Sequence, residues 1–271
     1  MNKIGLREIQ LIELEILKYF AEFCENNGLR YFLDSGTLIG AIRHKGFIPW
    51  DDDIDVCMLR EDYNKFVKLM QKKHCKLTDN ILLETEKDSV YPYLKLVDTR
   101  TVLVEYPNTN PLETGIYIDI FPKDGLLSTD ANEQRRAKRV KQYILYGWLG
   151  TFTCKKYLNS DRMIDKIKGM LIKTFIPNPS KWKEKALVLA QKQNDKDCAF
   201  VSSLICSGMI GCAPVSCFES QIDVQFEGCT FKAPVGYDQY LHSLYMGDYM
   251  ELPPEEKRVA HETIVYWKDK E

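Results

Sequence analysis

The chain reads as an α/β (α+β) protein: a mixed-sheet core with a helical insertion and a C-terminal extension. Three observations predict this. Leu6 to Asn27 place Ile9, Ile12, Ile16, Leu17, Phe20 and Phe23 at helical spacing. Short β-rich runs recur between Arg30 and Phe121, interleaved with helices. Residues 130 to 195 are helical, basic and poor in turn signals. A length of 271 residues allows one large domain or two small ones. The division expected is a catalytic core over 1–125, a helical insertion over 126–195 and a segment over 196–271 that completes the site.

Taken in order, the first helix ends at Asn26-Asn27-Gly28. Arg30-Tyr31-Phe32-Leu33 reads as a strand. Ser35-Gly36-Thr37 is a turn that can cap the helix through Leu38, Ile39 and Ile42. Ile54 to Met58 looks like a buried strand, followed by a helix over Asp62 to Lys73 with Tyr63, Phe66, Val67 and Met70 inside. Ile81–Glu84, Tyr93–Val97 and Thr101–Val104 read as strands. Gly115–Phe121 is another, ending at Pro122 with a turn at Lys123-Asp124-Gly125. Apolar helical stretches lie around Tyr143 to Phe152 and Met163 to Ile176, closed by Pro177 and Pro179. Val224 to Pro234 looks like a hairpin turning at Glu227-Gly228, and Tyr237 to Met246 reads as a helix.

Composition is that of an ordinary globular protein, 45% hydrophobic and 28% charged. A formal charge of −2 gives no global drive towards nucleic acid. The opening residues run into an amphipathic helix with no apolar signal-peptide core, and no stretch is apolar enough to span a bilayer. The nine cysteines form no Cys-x-x-Cys, and the gaps between Cys206, Cys212, Cys217 and Cys229 match no common zinc site. The expectation is a reduced, cytoplasmic protein with packing thiols.

The chemistry is concentrated at Trp50-Asp51-Asp52-Asp53-Ile54-Asp55. Crowded carboxylates repel one another and raise each other's pKa, so such a cluster calls for a cation. Mg²⁺, with Mn²⁺ as the alternative, prefers such oxygens and is commonly shared with substrate phosphates. Strand alternation puts Asp53 and Asp55 on one face. A solvated acidic turn after Pro49 is the bland alternative, set against the apolar residues that enclose the cluster. An EF-hand loop fails, because its sixth position, which needs Gly, is Val56 and its twelfth, which needs Glu, is Asp62. Asp119, flanked by Ile118 and Ile120, offers a third carboxylate as metal ligand or general base. Ser35, Gly36 and Thr37 can present N–H groups and a hydroxyl to phosphate oxygens.

At this point the chain resembles a family. Leu33 through Asp55, with Gly36-Thr37, Arg43-His44-Lys45-Gly46 and Pro49-Trp50-Asp51-Asp52-Asp53-Ile54-Asp55, is similar to the hallmark of the LicD family. Tyr93-Leu94-Lys95-Leu96, Tyr117 to Pro122 and Tyr245 to Met250 extend the likeness, although Met246 interrupts the family's usual Tyr-Gly-Asp. The resemblance implies a nucleotidyltransferase-like core related to fukutin-type enzymes. It further implies transfer of phosphocholine, or a related phospho-alcohol, from CDP-choline or another CDP-alcohol to a glycan or lipid-linked glycan such as teichoic acid or lipopolysaccharide. It implies that Asp53, Asp55 and Asp119 form the metal and catalytic set. Arg43 and His44 are candidates to meet the diphosphate, or else solvated loop charges. Lys95 is a candidate phosphate ligand or a surface strand lysine. Trp50 is a base-stacking, cation-facing or packing residue. The basic run Arg135 to Lys141 and the apolar stretches after it suggest peripheral contact with the inner face of a membrane. His242 and His261 show no readable partner and are expected to be surface or packing residues. The rival readings are an NTP-dependent nucleotidyltransferase releasing pyrophosphate and a metal-stabilised glycan-binding protein without turnover.

Overall fold

The computed structural model describes residues 3–86, 89–106, 111–261 and 263–268. The first helix, α1 (Leu6–Asn26), buries Ile9, Ile12, Ile16, Leu17 and Phe20, the stripe its periodicity predicts. Strand β1 (Phe32–Leu33) is two residues long. Helix α2 (Ser35–Ile39) continues through a π-helical turn, Gly40–His44. Next come β2 (Asp55–Leu59), α3 (Arg60–Lys72), β3 (Ile81–Glu84), β4 (Leu94–Glu105) and β5 (Leu112–Leu126). α1 and α3 meet through Phe20 and Phe66, whose rings pack edge-on at 5.4 Å.

These strands form a mixed sheet in the order β1-β2-β5-β4-β10, where β10 is Thr263–Trp267. β2 and β5 are parallel, whereas β4 is antiparallel to β5. The far edge of β4 is shared: its first half pairs with β3 and its second with β10. Two expectations are corrected. The runs at 93–97 and 101–104 are one strand, with an irregularity in its β5 pairing between Asp98 and Leu103. β5 does not end at Pro122 but runs on to Leu126. The β4 ladder stops opposite Ile120 and β6 (Phe200–Ser202) begins opposite Asp124, so the proline falls between the two partners, where its missing N–H costs least.

The helical region comprises α4 (Ala131–Trp148), a π turn at Leu149–Thr153, α5 (Cys154–Leu158), α6 (Met163–Phe175) and α7 (Pro179–Ala190). Asp130 caps α4, accepting from the N–H groups of Asn132 and Glu133. A small second core joins this layer to the sheet, with Ala137, Val140, Ala186 and Ala190 against Leu126, Leu204 and Ile205. β7 (Ala213–Pro214) pairs with β6, and β8 (Gln221–Phe226) with β9 (Cys229–Pro234). That hairpin turns at Glu227 (φ 52°) and Gly228 (φ 73°), both left-handed as a two-residue turn requires. Its tip holds the loop before the acidic cluster: Glu227 donates its N–H to the Lys45 carbonyl at 2.9 Å and accepts from the Phe47 N–H at 3.1 Å. Helix α8 (Tyr237–Tyr245) completes the set. All nine cysteines are free thiols. Among the described residues, no helix is long and apolar enough to cross a membrane.

Candidate active site

The parallel register of β2 and β5 sets Asp55 directly beside Asp119. Asp53 lies two residues before Asp55, on the approach to β2 and outside it, with buried Ile54 between them. Backbone and hydroxyl groups hold this corner. The Asp119 N–H donates to the Ile54 carbonyl at 2.9 Å and the Asp34 N–H to the Asp55 carbonyl at 3.0 Å. The Asp55 N–H donates to Thr37 Oγ1 at 2.8 Å. Thr37 therefore positions a carboxylate, its hydroxyl oxygen accepting the Asp55 N–H. The Ser35 N–H is engaged as well, donating to Asp34 Oδ1 at 2.9 Å as the cap of α2. Ser35 itself sits at φ 46°, a strained conformation for a residue with a side chain. Gly36 lies against the cluster: a Cβ there would stand 2.7 Å from Asp51 Oδ2.

The charge distribution explains how so many carboxylates coexist. Lys95, fully buried, donates to Asp119 Oδ1 at 2.8 Å and stands 3.2 Å from the centre of the Tyr117 ring. The hydroxyls of Tyr91 and Tyr117 both donate to Glu105, which lies 3.9 Å from the same ammonium. Burial still pushes Asp119 up to about 6 against the pull of Lys95. Burial, then Asp53 and Asp52, push Asp51 to about 7, and Asp53 is raised as well, chiefly by burial. Asp55 is raised well above the carboxylate range by burial and by the carboxylates of Asp53, Asp119, Asp34 and Asp51. Glu13 of α1 is likewise raised by burial and by Asp53, Asp52, Asp51 and Asp119, and its Oε2 has no hydrogen-bond partner among the described residues.

Two clefts meet these groups. One, of about 420 Å³, is lined by Glu13, Asp53, Tyr91, Tyr117, Asp119 and His261. The other, of about 490 Å³, is lined by Gly36, Arg43, Trp50, Asp51, Tyr245 and Tyr249. Arg43 spans from the π-helical turn after α2 to the C-terminal segment, donating to the carbonyls of Tyr249 at 2.7 Å and Glu251 at 3.0 Å. His44 accepts from Arg43 Nε at 2.9 Å, and burial together with Arg43 lowers its pKa. One side of Trp50 carries the Arg258 guanidinium, 5.4 Å from its centre.

Several groups escaped sequence reasoning because their partners are remote. Asp34 Oδ2 pairs with Lys123 at 2.8 Å, and the Tyr240 hydroxyl donates to Asp34 Oδ1; all three are buried. Arg60 grips Asp124 through two hydrogen bonds at 2.8 and 3.0 Å. His261 has a partner after all: its backbone N–H and ring nitrogen meet Asp52 Oδ1 at 3.2 and 2.8 Å, and that contact, with the neighbouring aspartates, lifts it to about 9. His242 remains exposed, its Nδ1 2.8 Å from the Asp238 carbonyl.

Among the described residues, no group of three His, Cys, Asp or Glu side chains is already arranged to hold a metal ion. Asp119 leans on Lys95 and Asp53 on Asp51 instead. The donor set nevertheless fits a hard divalent cation. It is all carboxylate oxygen, and the leading charges acting on Asp55 are the carboxylates of Asp53, Asp119, Asp34 and Asp51.

The mixed sheet thus aligns two carboxylates at adjacent strands, with a third on the approach and a buried lysine against Asp119. The family described as LicD/FKTN/FKRP, nucleotidyltransferase domain, matches residues 28–146. The chain is 34% identical to the lipopolysaccharide cholinephosphotransferase LicD of Haemophilus influenzae, over 96% of this chain and 97% of that protein. It is 29% identical to human ribitol 5-phosphate transferase FKRP over 43% of this chain and 22% of that protein. The chain belongs to the LicD family.

Proposed function

We propose that this protein transfers phosphocholine, or a related phospho-alcohol, from a CDP-linked donor to a hydroxyl of a cell-surface glycan precursor, releasing CMP. The observation that carries the reading is the Asp55–Asp119 pair beside Lys95, with Asp119 and Asp53 opening into a cleft of about 420 Å³. Its likeness along nearly its whole length to a lipopolysaccharide cholinephosphotransferase supports the choice of substrate class.

Asp53, Asp55 and Asp119 are the residues that would hold Mg²⁺, which when bound neutralises phosphate charge and lowers the pKa of an attacking hydroxyl. Lys95 adds fixed positive charge beside the transferring phosphoryl group. The cleft bounded by Trp50, Tyr245 and Tyr249 takes the cytosine. A base is favoured there over a quaternary cation, because Arg258 already holds one side of Trp50. The cleft on the Tyr117 side admits the acceptor.

The test is CMP release with CDP-choline, Mg²⁺ and a choline-free lipopolysaccharide or teichoic acid precursor. The expected result is CMP and choline-bearing glycan in equal amounts, both lost in Asp53→Ala. Pyrophosphate from an NTP would install the nucleotidyltransferase reading instead. Mg²⁺-dependent stabilisation with no donor consumed would install the non-catalytic one.

A further inference from the structure

Helix α6 leaves its apolar side uncovered. Gly169 is its one buried residue and packs on Leu158 of α5, so close that a Cβ would stand 2.9 Å from that side chain. The opposite side presents Met163 (80% exposed), Ile164, Ile167, Met170, Leu171 and Phe175 (78%). At about 100° per residue these six occupy one arc of roughly 140°. Lys166 and Lys173 border the arc on one side and Lys168 on the other, and all three are exposed. Lys168 stays within 3.6 Å of Asp165, which lies on the packed side.

The region around α6 carries a charge unlike that of the chain. Residues 131–176 hold eleven Lys and Arg against three Asp and Glu, in a protein whose formal charge is −2. An apolar arc edged by lysines, on a strongly basic layer, matches an anionic bilayer, with the side chains entering the acyl boundary and the ammonium groups at the headgroups. The layer also lies beside the catalytic cleft. Phe152 stacks on Trp148 at 4.7 Å, and Trp148 meets the edge of Tyr91, which lines that cleft, at 5.6 Å.

We propose that the exposed side of α6 docks this enzyme on an anionic lipid surface. The test is co-sedimentation of the full chain with vesicles of phosphatidylglycerol and phosphatidylcholine, and with phosphatidylcholine alone. The expected result is salt-sensitive binding to the anionic vesicles only. K166Q/K173Q should weaken it about twenty-five-fold, from roughly fivefold per lysine. I167E/L171E should abolish it, with circular dichroism unchanged because both sites are exposed. Equal binding to both vesicles, no binding, or binding untouched by either variant overturns the proposal. So does sedimentation showing a dimer that I167E/L171E dissociates, which assigns this side to a second copy of the chain. Vesicle binding is read without turnover, so it stands or falls apart from the choice of donor.

Discussion

Replacing Lys123 by Met isolates the buried Asp34–Lys123–Tyr240 group. Both charged side chains are almost wholly buried, Asp34 at 1% exposure and Lys123 at 3%, and they pair at 2.8 Å. At an effective dielectric of about 20 their gross attraction is about 6 kcal/mol. Desolvating two ions consumes most of that, so the pair is near neutral while it is intact. Removing one partner is different, because it strands the other charge. K123M is expected to cost about 3–5 kcal/mol. D34N keeps an oxygen for the Ser35 N–H and the Tyr240 hydroxyl but strands the ammonium, at about 3 kcal/mol. The double variant strands neither, so it should lie at least about 2 kcal/mol above the additive expectation. Urea denaturation followed by circular dichroism at pH 7 measures all four proteins.

The pH dependence has a definite sign. Burial pushes Asp34 up, but the Lys123 pair and hydrogen bonds from Lys123, Tyr240 and Ser35 outweigh it and hold Asp34 below 3.8. Its stabilisation is therefore present at neutral pH and disappears as pH falls through that lowered value. In K123M the stranded carboxyl takes up a proton as pH drops from 7, so the gap to wild type should narrow in acid. A K123M cost under about 1 kcal/mol, or strict additivity in the double variant, would refute the reasoning.

Three further outcomes are expected. Metal-free protein should be more stable at pH 5.5 than at 7.5. Asp51 and Asp119 titrate folded at about 7 and about 6, above their unfolded value of 3.8, so the folded state binds more protons across that window; calorimetry with a chelator checks this. Asp55→Asn should raise the metal-free Tm by about 2–4 °C for each kcal/mol of relieved repulsion, while removing stabilisation by Mg²⁺ and turnover. Lys95→Met should lower kcat about a hundredfold or more at saturating Mg²⁺, and Gly36→Ala, which displaces Asp51, should raise the Mg²⁺ concentration needed for half-maximal rate; steady-state kinetics reads both.

Local signals were readable in the residues. The stripe of α1, the Glu227-Gly228 turn and the packed aspartates each report their own conformation or chemistry within a few positions. What compensates the aspartates did not show, because charge pairing is not local. Asp34 finds Lys123 in β5, and Asp52 finds His261 209 residues on. Ser35 and Thr37 look like ligand groups in isolation, yet their N–H and hydroxyl are used in building the corner. Strand ends misled for the same reason: whether Pro122 stops β5 depends on which neighbours flank it, and those arrive from residues 94 and 202.

The edge of the sheet has a bearing on how the protein is made. β10 pairs with the second half of β4 across more than 150 intervening residues, Glu105 opposite Thr263, and Ile4 donates its N–H to the Val265 carbonyl. His261, just before β10, brings the positive charge that faces the aspartates. A ribosome must deliver the chain through residue 267 before that strand can add and that cation can arrive. Until then the nascent chain carries an acidic cluster with part of its neutralising charge missing, so the site matures only once residues 261–267 have emerged, after the preceding helices have had time to form.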